Sequence, residues 1–359
     1  MKRREFLGVS LTALTAVQLP IWAWGAEPAE NRWILVSRSS KDLTATLLQA
    51  GEPVKSVLKV LDRNFKQIIK VDLNFSAHSW VQDEASPNLV YGFSKWGNEA
   101  GVVDLKTKKF VGYLERPEGM RFFGHGLQLP DGRMLVSMRN DKKKQGCLVY
   151  FKGTKPTGEV ISTGDGFTHE LRFLPGSTDK IVAATGGSGR GLQWIDLKTG
   201  KVTREMRSAF MYASHFRFVN NSDQRIVVLG TADKPSVQVI DGEKEFFIRW
   251  EGKYTPAPGA HGPESLNAAQ DPSDPNIYWV AISATDLVFK LDIEKKKVVD
   301  VRHQEKIARH AFRYGKDLYI SRYENGVSTL QRLGFFWRDT RPPKDFGNSS
   351  HVDLIQPVV

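Results

Sequence analysis

A unit of roughly 45 residues recurs along most of this chain, and this repeat constrains the fold more than any other feature. Each copy contains an opening strand, a polar turn, a strand rich in Val, Ile and Tyr, a variable loop and a final hairpin. Six copies are recognised, and they begin at the segments AHSWV, GHGLQ, THELR, SHFRF, PESLN and RHAFR. Four short strands at this spacing are typical of one blade of a β-propeller.

Five of the final hairpins along the chain have the same turn chemistry. The turn segments are DLKTKKF, DLKTGKV, DIEKKKV, DGEKEFF and DRNFKQI. Asp opens such turns because its carboxylate accepts hydrogen bonds from nearby backbone amides, and Gly or Lys closes them. A two-sheet sandwich would not require this repeated turn, so the pattern favours the propeller.

An earlier stretch, residues 32–72, matches only the later part of a unit. Six complete copies and this partial one predict an all-β, seven-bladed β-propeller with four-stranded blades, forming a single domain over residues 31–359. We expect the N-terminal strands to complete the ring with the C-terminal unit, because closure hides the sheet edges. The tail SSHVDLIQPVV is expected to be an outer strand or a strap.

The N-terminus has the pattern of an export signal. The charged start MKRREFLG precedes the apolar run VSLTALTAVQLPIWAWGA, and a polar stretch follows. Arg3 and Arg4 before Phe-Leu match the twin-arginine pattern. We predict a twin-arginine signal peptide over residues 1–26, periplasmic localisation and no membrane span after cleavage. An ordinary secretory signal and an uncleaved anchor are the alternatives.

Charge and cysteine content exclude several classes of function. The chain has 51 Lys and Arg against 40 Asp and Glu, a formal net charge of +11. The basic residues are scattered and do not alternate with aromatic residues, so nucleic-acid binding is not expected. An anionic ligand or partner remains compatible with the charge. The single cysteine, Cys147, excludes an intrachain disulfide and a cysteine-based metal site, and its apolar neighbours predict a buried thiol.

Six of the eight histidines occupy or adjoin one aligned position, at the start of the predicted innermost strand. A propeller would therefore bring imidazoles together at one mouth of its central channel. Imidazole binds iron, copper or zinc well. The predicted metal ligands are His78, His125, His169, His215, His261, Glu264 and His310. Glu170 is a second carboxylate candidate, and proton transfer is an alternative use of the same residues.

A structural explanation for the histidines is also open. In some repeat propellers, a Gly-His pair before the first strand belongs to a hydrogen-bonded network inside each blade, and GHG at 124–126 fits that pattern. A second aligned position is often polar. It holds Gln128, Arg172, Arg217, Asn267 and Arg313. We interpret most of these as buried groups that bind backbone carbonyls; a basic ring that grips an anion is the alternative.

Loops between the second and third strands bring further residues to the histidine-bearing face. They contribute Lys95, Trp96, Arg139, Arg190 and Arg322. The default explanation is that these are loop residues whose charges are solvated. The alternative explanation is that they form a rim that faces a ligand.

The twin-arginine start RREFLG, the chain length and the blocks GHG…PDGRMLVS, THEL and RHAF resemble an uncharacterised family of exported bacterial proteins, domain of unknown function 1513. The resemblance implies a periplasmic propeller, often encoded near imelysin-like and di-haem proteins tied to iron handling. It brings no established catalytic residues.

Three classes of function follow from these observations. The first is a periplasmic protein that binds iron or copper through the histidines, with periplasmic metal-handling or redox proteins as partners. The second is a metal-dependent hydrolase, lactonase or lyase at the same site. The third is an interaction platform for another protein. The fold alone cannot decide among these three classes.

Overall fold

The computed structural model describes residues 32–39, 56–187, 191–208, 210, 212–256, 262–304, 307–324, 327–333 and 352–358. Strands dominate these residues. The first eleven strands are β1 (Trp33–Ser39), β2 (Ser56–Leu61), β3 (Gln67–Leu73), β4 (Ser79–Gln82), β5 (Leu89–Phe93), β6 (Ala100–Asp104), β7 (Lys109–Tyr113), β8 (Met120–Gln128), β9 (Met134–Asn140), β10 (Gln145–Lys152) and β11 (Lys155–Asp165).

The next eight strands are β12 (Phe167–Phe173), β13 (Lys180–Gly186), β14 (Leu192–Asp196), β15 (Lys201–Met206), β16 (Tyr212–Phe218), β17 (Arg225–Thr231), β18 (Ser236–Asp241) and β19 (Lys244–Arg249). The last eight are β20 (Glu264–Gln270), β21 (Ile277–Ser283), β22 (Leu287–Asp292), β23 (Lys297–His303), β24 (Ile307–Tyr314), β25 (Asp317–Glu324), β26 (Val327–Leu333) and β27 (Val352–Ile355). A 3-10 turn spans Val219–Asn221. Within the described ranges, no helix has the length and apolar character needed to cross a membrane.

The strands form successive antiparallel units, as the repeat predicts. Unit A contains β27, β1, β2 and β3, and unit B contains β4 to β7. Units C, D, E and F follow with four strands each: β8–β11, β12–β15, β16–β19 and β20–β23. Unit G has β24, β25 and β26 in the described part of the chain. The protein is therefore all-β.

Apolar side chains fill the space between consecutive units and hold them in a ring. One buried cluster joins Val60 of unit A to Val90 of unit B, and further clusters join B to C, C to D, D to E, E to F and F to G. A final cluster joins Phe312 of unit G to Val36 of unit A. Full burial of one such side chain contributes about 1.5–3 kcal/mol. The core is thus distributed around the ring between the sheets.

The end of the chain closes the ring. Val352–Ile355 pairs antiparallel with β1, so β27 takes the place that the opening strand has in every other unit. The expectation of an outer strand or strap for this tail is wrong. The physical reason is that β1, β2 and β3 have no opening strand of their own, and the inner edge of β1 needs a hydrogen-bonding partner.

The turn chemistry of the final hairpins is confirmed. The Asp62 carboxylate accepts hydrogen bonds from the amides of Asn64 and Lys66, at 2.8 and 2.9 Å. Asp104, Asp196 and Asp292 accept equivalent bonds in their own turns. The closing position is left-handed, with φ of +65° at Gly200 and +57° at Lys108.

A β-bulge interrupts the opening strand in units C to G, at the same place in each unit. The pairing between opening and second strands shifts after Phe122, Thr168, Ala213, Ser265 and Ala308. A bulge redirects side chains that strict alternation would place elsewhere. In unit B, His78 immediately precedes β4, and its backbone amide donates to the carbonyl of Phe93 at 2.7 Å. These irregular positions carry the histidines.

Candidate metal centre

Four histidines from four consecutive units meet in the interior. They are His78, His125, His169 and His215, and one ring nitrogen from each lies within 4.8 Å of the others. Their ring centroids are 4.5–6.4 Å apart. All four are buried, with exposed fractions of 0 to 8%. We call these residues the histidine cluster. Because the rings contact one another across units, they are not separate networks confined to single blades.

Backbone contacts orient His169 toward His78. The Nδ1–H of His169 donates to the carbonyl oxygen of Phe123 at 2.6 Å, which leaves the Nε2 lone pair directed away from that bond. The Nε2 atoms of His78 and His169 are 3.3 Å apart. Two nitrogens bound to one tetrahedral metal at ordinary bond lengths are separated by about 3.3–3.4 Å. This pair therefore has the spacing of two ligands of one ion.

Gly124 allows these two rings to approach each other. A Cβ at Gly124 would lie 2.7 Å from Cδ2 of His78 and 3.0 Å from Cε1 of His169. The backbone there also has a φ of +106°, which disfavours other residues. The glycine before His125 is thus required by the packing of the two neighbouring histidines, which explains the GHG sequence.

A hydrogen-bonded chain orients His215. The Ser214 hydroxyl donates its only proton to Glu264 Oε1 at 3.3 Å, so its oxygen accepts from Nδ1–H of His215 at 3.1 Å. This arrangement places the lone pair of the neutral His215 ring on Nε2. Metal-binding histidines commonly donate their other ring nitrogen in this way. Glu264 therefore acts on the cluster through Ser214.

Burial keeps the imidazoles of His125 and His169 neutral. It lowers the pKa of His125 to about 3, because the charged ring would lose its hydration, and nearby Lys95, Arg172 and Arg217 add to the effect. The same loss of water holds the pKa of His169 well below its ordinary value, with Lys95 and His125 contributing. A neutral imidazole has the free lone pair that metal binding requires.

The donor set fits a transition metal. Two metal–nitrogen bonds placed end to end span about 4.0–4.2 Å, so a 4.8 Å spread needs only a small movement of side chains. Imidazole nitrogens suit zinc, copper, iron and nickel. The cluster contains no carboxylate, so all of its ligands would be neutral. The buried four-histidine group can hold a metal ion.

A second group of polar residues, which we call the polar network, lies beside the cluster. It contains Glu170, Arg172, Arg217, Asn267 and His310. Arg217 Nη1 donates to both carboxylate oxygens of Glu170 at 2.9 and 3.0 Å, and Arg172 Nη2 donates to Oε1. The amide of Phe216 donates to Oε2 at 2.8 Å. Chiefly through the arginines, these contacts lower the pKa of Glu170 to about 2 despite its burial. With both oxygens occupied, Glu170 is not arranged as a metal ligand.

His310 belongs to this polar network. Its Nε2 contacts the side-chain amide of Asn267, and its Nδ1 accepts a hydrogen bond from the amide of Val352 at 3.0 Å. Asn267 Oδ1 in turn accepts from Arg217. Burial lowers the pKa of His310 to about 3, and Arg217 strengthens the effect. Nearby, burial raises the pKa of Asp353 to about 7, although its carboxylate accepts from the amide of Trp80.

The predicted ligands are thus divided between different surroundings. His78, His125, His169 and His215 come together, whereas His310 lies in the polar network and Glu264 bonds to Ser214. His261 lies outside the described residues. Sequence comparison missed the parts played by Gly124 and Ser214. The glycine next to His125 in the GHG segment could have indicated the part played by Gly124. No sequence pattern indicated the part played by Ser214, because it occupies a position where another unit has a histidine.

The bulge explains why the aligned histidines are not equivalent. In the pairing register, His215 and His310 correspond to Glu170, whereas His169 corresponds to Ser214. The aligned sequence position, which places Ser214 opposite His169, is therefore correct for units D and E and is displaced by one residue at His310. Arg172 and Arg217 were expected to bind backbone carbonyls. Arg217 does donate to the carbonyl of Phe216, but both arginines also bind the carboxylate of Glu170. Arg313 is exposed and donates to the carbonyl of Gly315.

An aromatic group links the cluster with the surface. Phe123 stacks on Phe167 at 4.6 Å, and Trp96 meets both rings at 4.2 and 5.8 Å. Phe167 also meets Tyr212, which is 42% exposed. Arg139 lies over the Trp96 ring at 5.8 Å. Trp96 and Arg139 are therefore packed residues of this face; Arg190 lies outside the described residues.

Cys147 has the environment predicted for it. It is a free thiol within the apolar cluster between units B and C, and its burial raises the pKa to about 12.

Solved structures support the propeller fold. The hydrazine synthase of Kuenenia stuttgartiensis is similar at 14% identity with a TM-score of 0.57, covering 78% of this chain and 90% of that one. The Dos1 propeller is similar at 15% identity with a TM-score of 0.54, covering 75% and 71%. The β-propeller domain of Cps50 (Swd1) from Myceliophteria thermophila gives 11% identity and a TM-score of 0.58, covering 84% and 97%. These identities show the fold alone.

Sequence comparisons give one match. No curated protein matches the chain significantly. Residues 71–207 match the model of the family described as "Protein of unknown function (DUF1513)", the family that the sequence resembles.

Proposed function

We propose that this protein is a periplasmic, seven-bladed β-propeller that binds one transition metal ion, iron or copper, through His78, His125, His169 and His215. The observation that carries the proposal is the convergence of four buried ring nitrogens within 4.8 Å. Two of the rings, His169 and His215, donate their Nδ1–H groups to other partners, so Nε2 of each is the nitrogen that carries the lone pair. Histidines buried only for packing need no such common focus.

The sequence supports the compartment and the ring size. The twin-arginine pattern at Arg3 and Arg4 precedes an apolar run, which is typical of export. The succession of units A to G, packed through apolar clusters, supports a ring of seven blades. Replacing both arginines by lysine is expected to keep the protein in the cytoplasm; unchanged export in cell fractionation would contradict this route.

Metal content tests the binding function directly. Protein refolded without metal and dialysed against Co²⁺ is expected to retain about one equivalent by elemental analysis. The double variant His78→Ala/His169→Ala removes two converging donors and should retain less than a tenth of that amount. His310→Ala is the matched control, because this histidine is equally buried but lies in the polar network. Equal cobalt content in wild type and the double variant would contradict the proposal.

A further inference from the structure

A cavity of about 190 Å³ lies on the sheet of unit C, and no residue of the histidine cluster or the polar network lines it. Its apolar walls are formed by Met120, Cys147 and Val160. A cavity of roughly 150 Å³ can hold benzene, whereas drug-sized ligands need about 300 Å³ or more. The cavity therefore has room for a small ligand of roughly six to eight non-hydrogen atoms.

The pairing register explains how four strands form one cavity. Met120 of β8 lies opposite Asn140 of β9, and Asn140 lies opposite Gln145 of β10. Cys147, two residues further along β10, lies opposite Ser162 of β11. Opposed residues, and residues two apart in one strand, share a face of the sheet. These side chains therefore meet on one face, the face that packs against unit B around Cys147.

The apolar walls are only partly covered by the protein. Cys147 is buried, but Val160 is 47% exposed and Met120 is half-buried. Val160 is one of the few large apolar side chains of the described residues that solvent reaches to this extent. Removing apolar surface from water is favourable, so a hydrocarbon group of a ligand would be stabilised against these two side chains.

The polar rim of the cavity presents hydrogen-bond donors. Asn140 Oδ1 accepts from the amide of Lys143 at 2.9 Å, which identifies Nδ2 as the donor of this side chain. Ser162 Oγ accepts from the amide of Gly164 at 3.4 Å, so its own O–H group is a donor. The ammonium group of Lys143, which also lines the cavity, adds further N–H donors. A ligand that only accepts hydrogen bonds fits this rim.

Lys143 also gives the rim a positive charge. Two carboxylates of the same region are already paired: Glu118 binds Lys142 at 3.0 Å, and Asp141 binds Arg121 at 2.7 Å. Among the residues that the structure describes, no carboxylate lines the cavity and no ion pair involves Lys143. A carboxylate ligand would supply the missing negative charge and would accept charge-assisted hydrogen bonds.

We propose that this cavity binds a short aliphatic carboxylate. The hydrocarbon chain lies on Met120 and Val160, and the carboxylate accepts hydrogen bonds from Lys143, Asn140 and Ser162. An inorganic anion would leave the apolar walls uncovered, and a neutral hydrocarbon would leave the donors unused. The site goes beyond the proposed metal binding and does not depend on it, because none of the four clustered histidines lines the cavity.

Hexanoate titration of the purified protein, labelled with ¹³C at its methionine methyl groups, tests this inference. The Met120 resonance, assigned by its loss in Met120→Leu, is expected to shift saturably. The resonance of Met134, which is buried in the same apolar cluster but does not line the cavity, should stay unchanged. Lys143→Met should weaken hexanoate binding at least tenfold, because a charge-assisted contact is lost. Lys144→Met is the matched control, since it removes a charge from the same turn outside the cavity lining.

Two comparisons need no variant. Hexanamide has the hydrocarbon chain without the charge, and acetate has the charge without the chain, so wild type should bind each at least tenfold more weakly than hexanoate. Equal affinity for hexanamide would overturn the role of charge even if Lys143→Met failed to fold. Equal affinity for acetate would show an adventitious surface contact only and would overturn the site.

A Met120 resonance that does not respond to hexanoate, or the same hexanoate affinity in wild type and Lys143→Met, would also overturn this inference. Cobalt content is a separate measurement, and Lys143→Met should retain as much Co²⁺ as wild type. Failure of wild type to bind cobalt would contradict the proposed function and leave the carboxylate site in place.

Discussion

The histidine cluster and the polar network use the same structural position but end in different chemical states. Apart from His78, their members lie at the bulge of the opening strands or within two residues of it. In the cluster, the four rings converge, and His169 and His215 direct their proton-bearing nitrogens to other partners. In the network, guanidinium, carboxylate and amide groups bind one another. The comparison shows that the fold supplies interior positions, while internal pairing decides which of them can accept a ligand.

The largest expected effect is a loss of stability when the charge of Glu170 is removed from the polar network, a charge that the histidine cluster does not contain. Glu170→Gln leaves Arg172 and Arg217 buried without their carboxylate and is expected to lower the free energy of unfolding by about 3–5 kcal/mol. Urea denaturation measures this loss. The exposed Glu118→Gln should behave as wild type. A loss below about 1 kcal/mol would show that the network does not depend on this charge.

The pKa of Glu170 gives the same prediction a pH dependence. Because its folded pKa of about 2 lies below the ordinary value of 4.5, its ionised form stabilises the fold above pH 4.5. That contribution disappears as the pH falls from 4.5 toward 2. Wild type should therefore lose more stability than Glu170→Gln across this interval.

The next effect tests whether cobalt binding requires the rings of His78 and His169 to lie close together. Gly124→Ala introduces a Cβ against His78 and His169 at a backbone φ of +106°. Crowding and backbone strain together should cost about 3 kcal/mol and weaken cobalt binding. Gly158→Ala has a similar φ of +91° with no atom near its Cβ, so it should show strain without loss of cobalt affinity. Unchanged cobalt affinity in Gly124→Ala would contradict the close approach of the two rings.

A smaller effect is expected from His310 of the polar network, and it is measured as the change of folding stability with pH. The folded pKa of His310 is about 3, below its ordinary value of 6.5, so the unfolded chain binds the extra proton as the pH falls below 6.5. This residue should remove about 2 kcal/mol of stability between pH 7 and pH 5. His310→Gln should lose correspondingly less over that range. Parallel pH profiles for the two proteins would show that His310 is not kept neutral by the fold.

The smallest effect concerns orientation within the cluster. Ser214→Ala breaks the chain from Glu264 to His215 and should weaken cobalt binding about tenfold, with metal content still measurable at saturation. Ser265→Ala is the control, because among the described residues this buried hydroxyl bonds to the backbone of Gly230 and not to the histidine cluster. It should change stability and leave the cobalt dissociation constant unaltered. Equal cobalt affinity in Ser214→Ala and wild type would remove Ser214 from the site.

The repeat predicted the units because their turn chemistry is local. Asp62 and Asp104 bond to amides within a few residues, so the sequence carries that information directly. The convergence of His78, His125, His169 and His215 followed from the same repeat. The exclusion of His310 did not, because it depends on Asn267 and on Val352, which are distant in sequence. The one-residue offset of His310 in the alignment was hidden for a related reason: a bulge changes the pairing register without leaving a gap in the sequence.

The pairing of β27 with β1 links residues more than three hundred positions apart. Unit A therefore cannot be completed until residue 355 has been synthesised, however early its other strands are available. Such a contact has a high loop-closure cost and belongs to the slow part of folding. Strand β27 therefore closes the ring, and the hydrogen bond from the Val352 amide to His310 holds this strand in place.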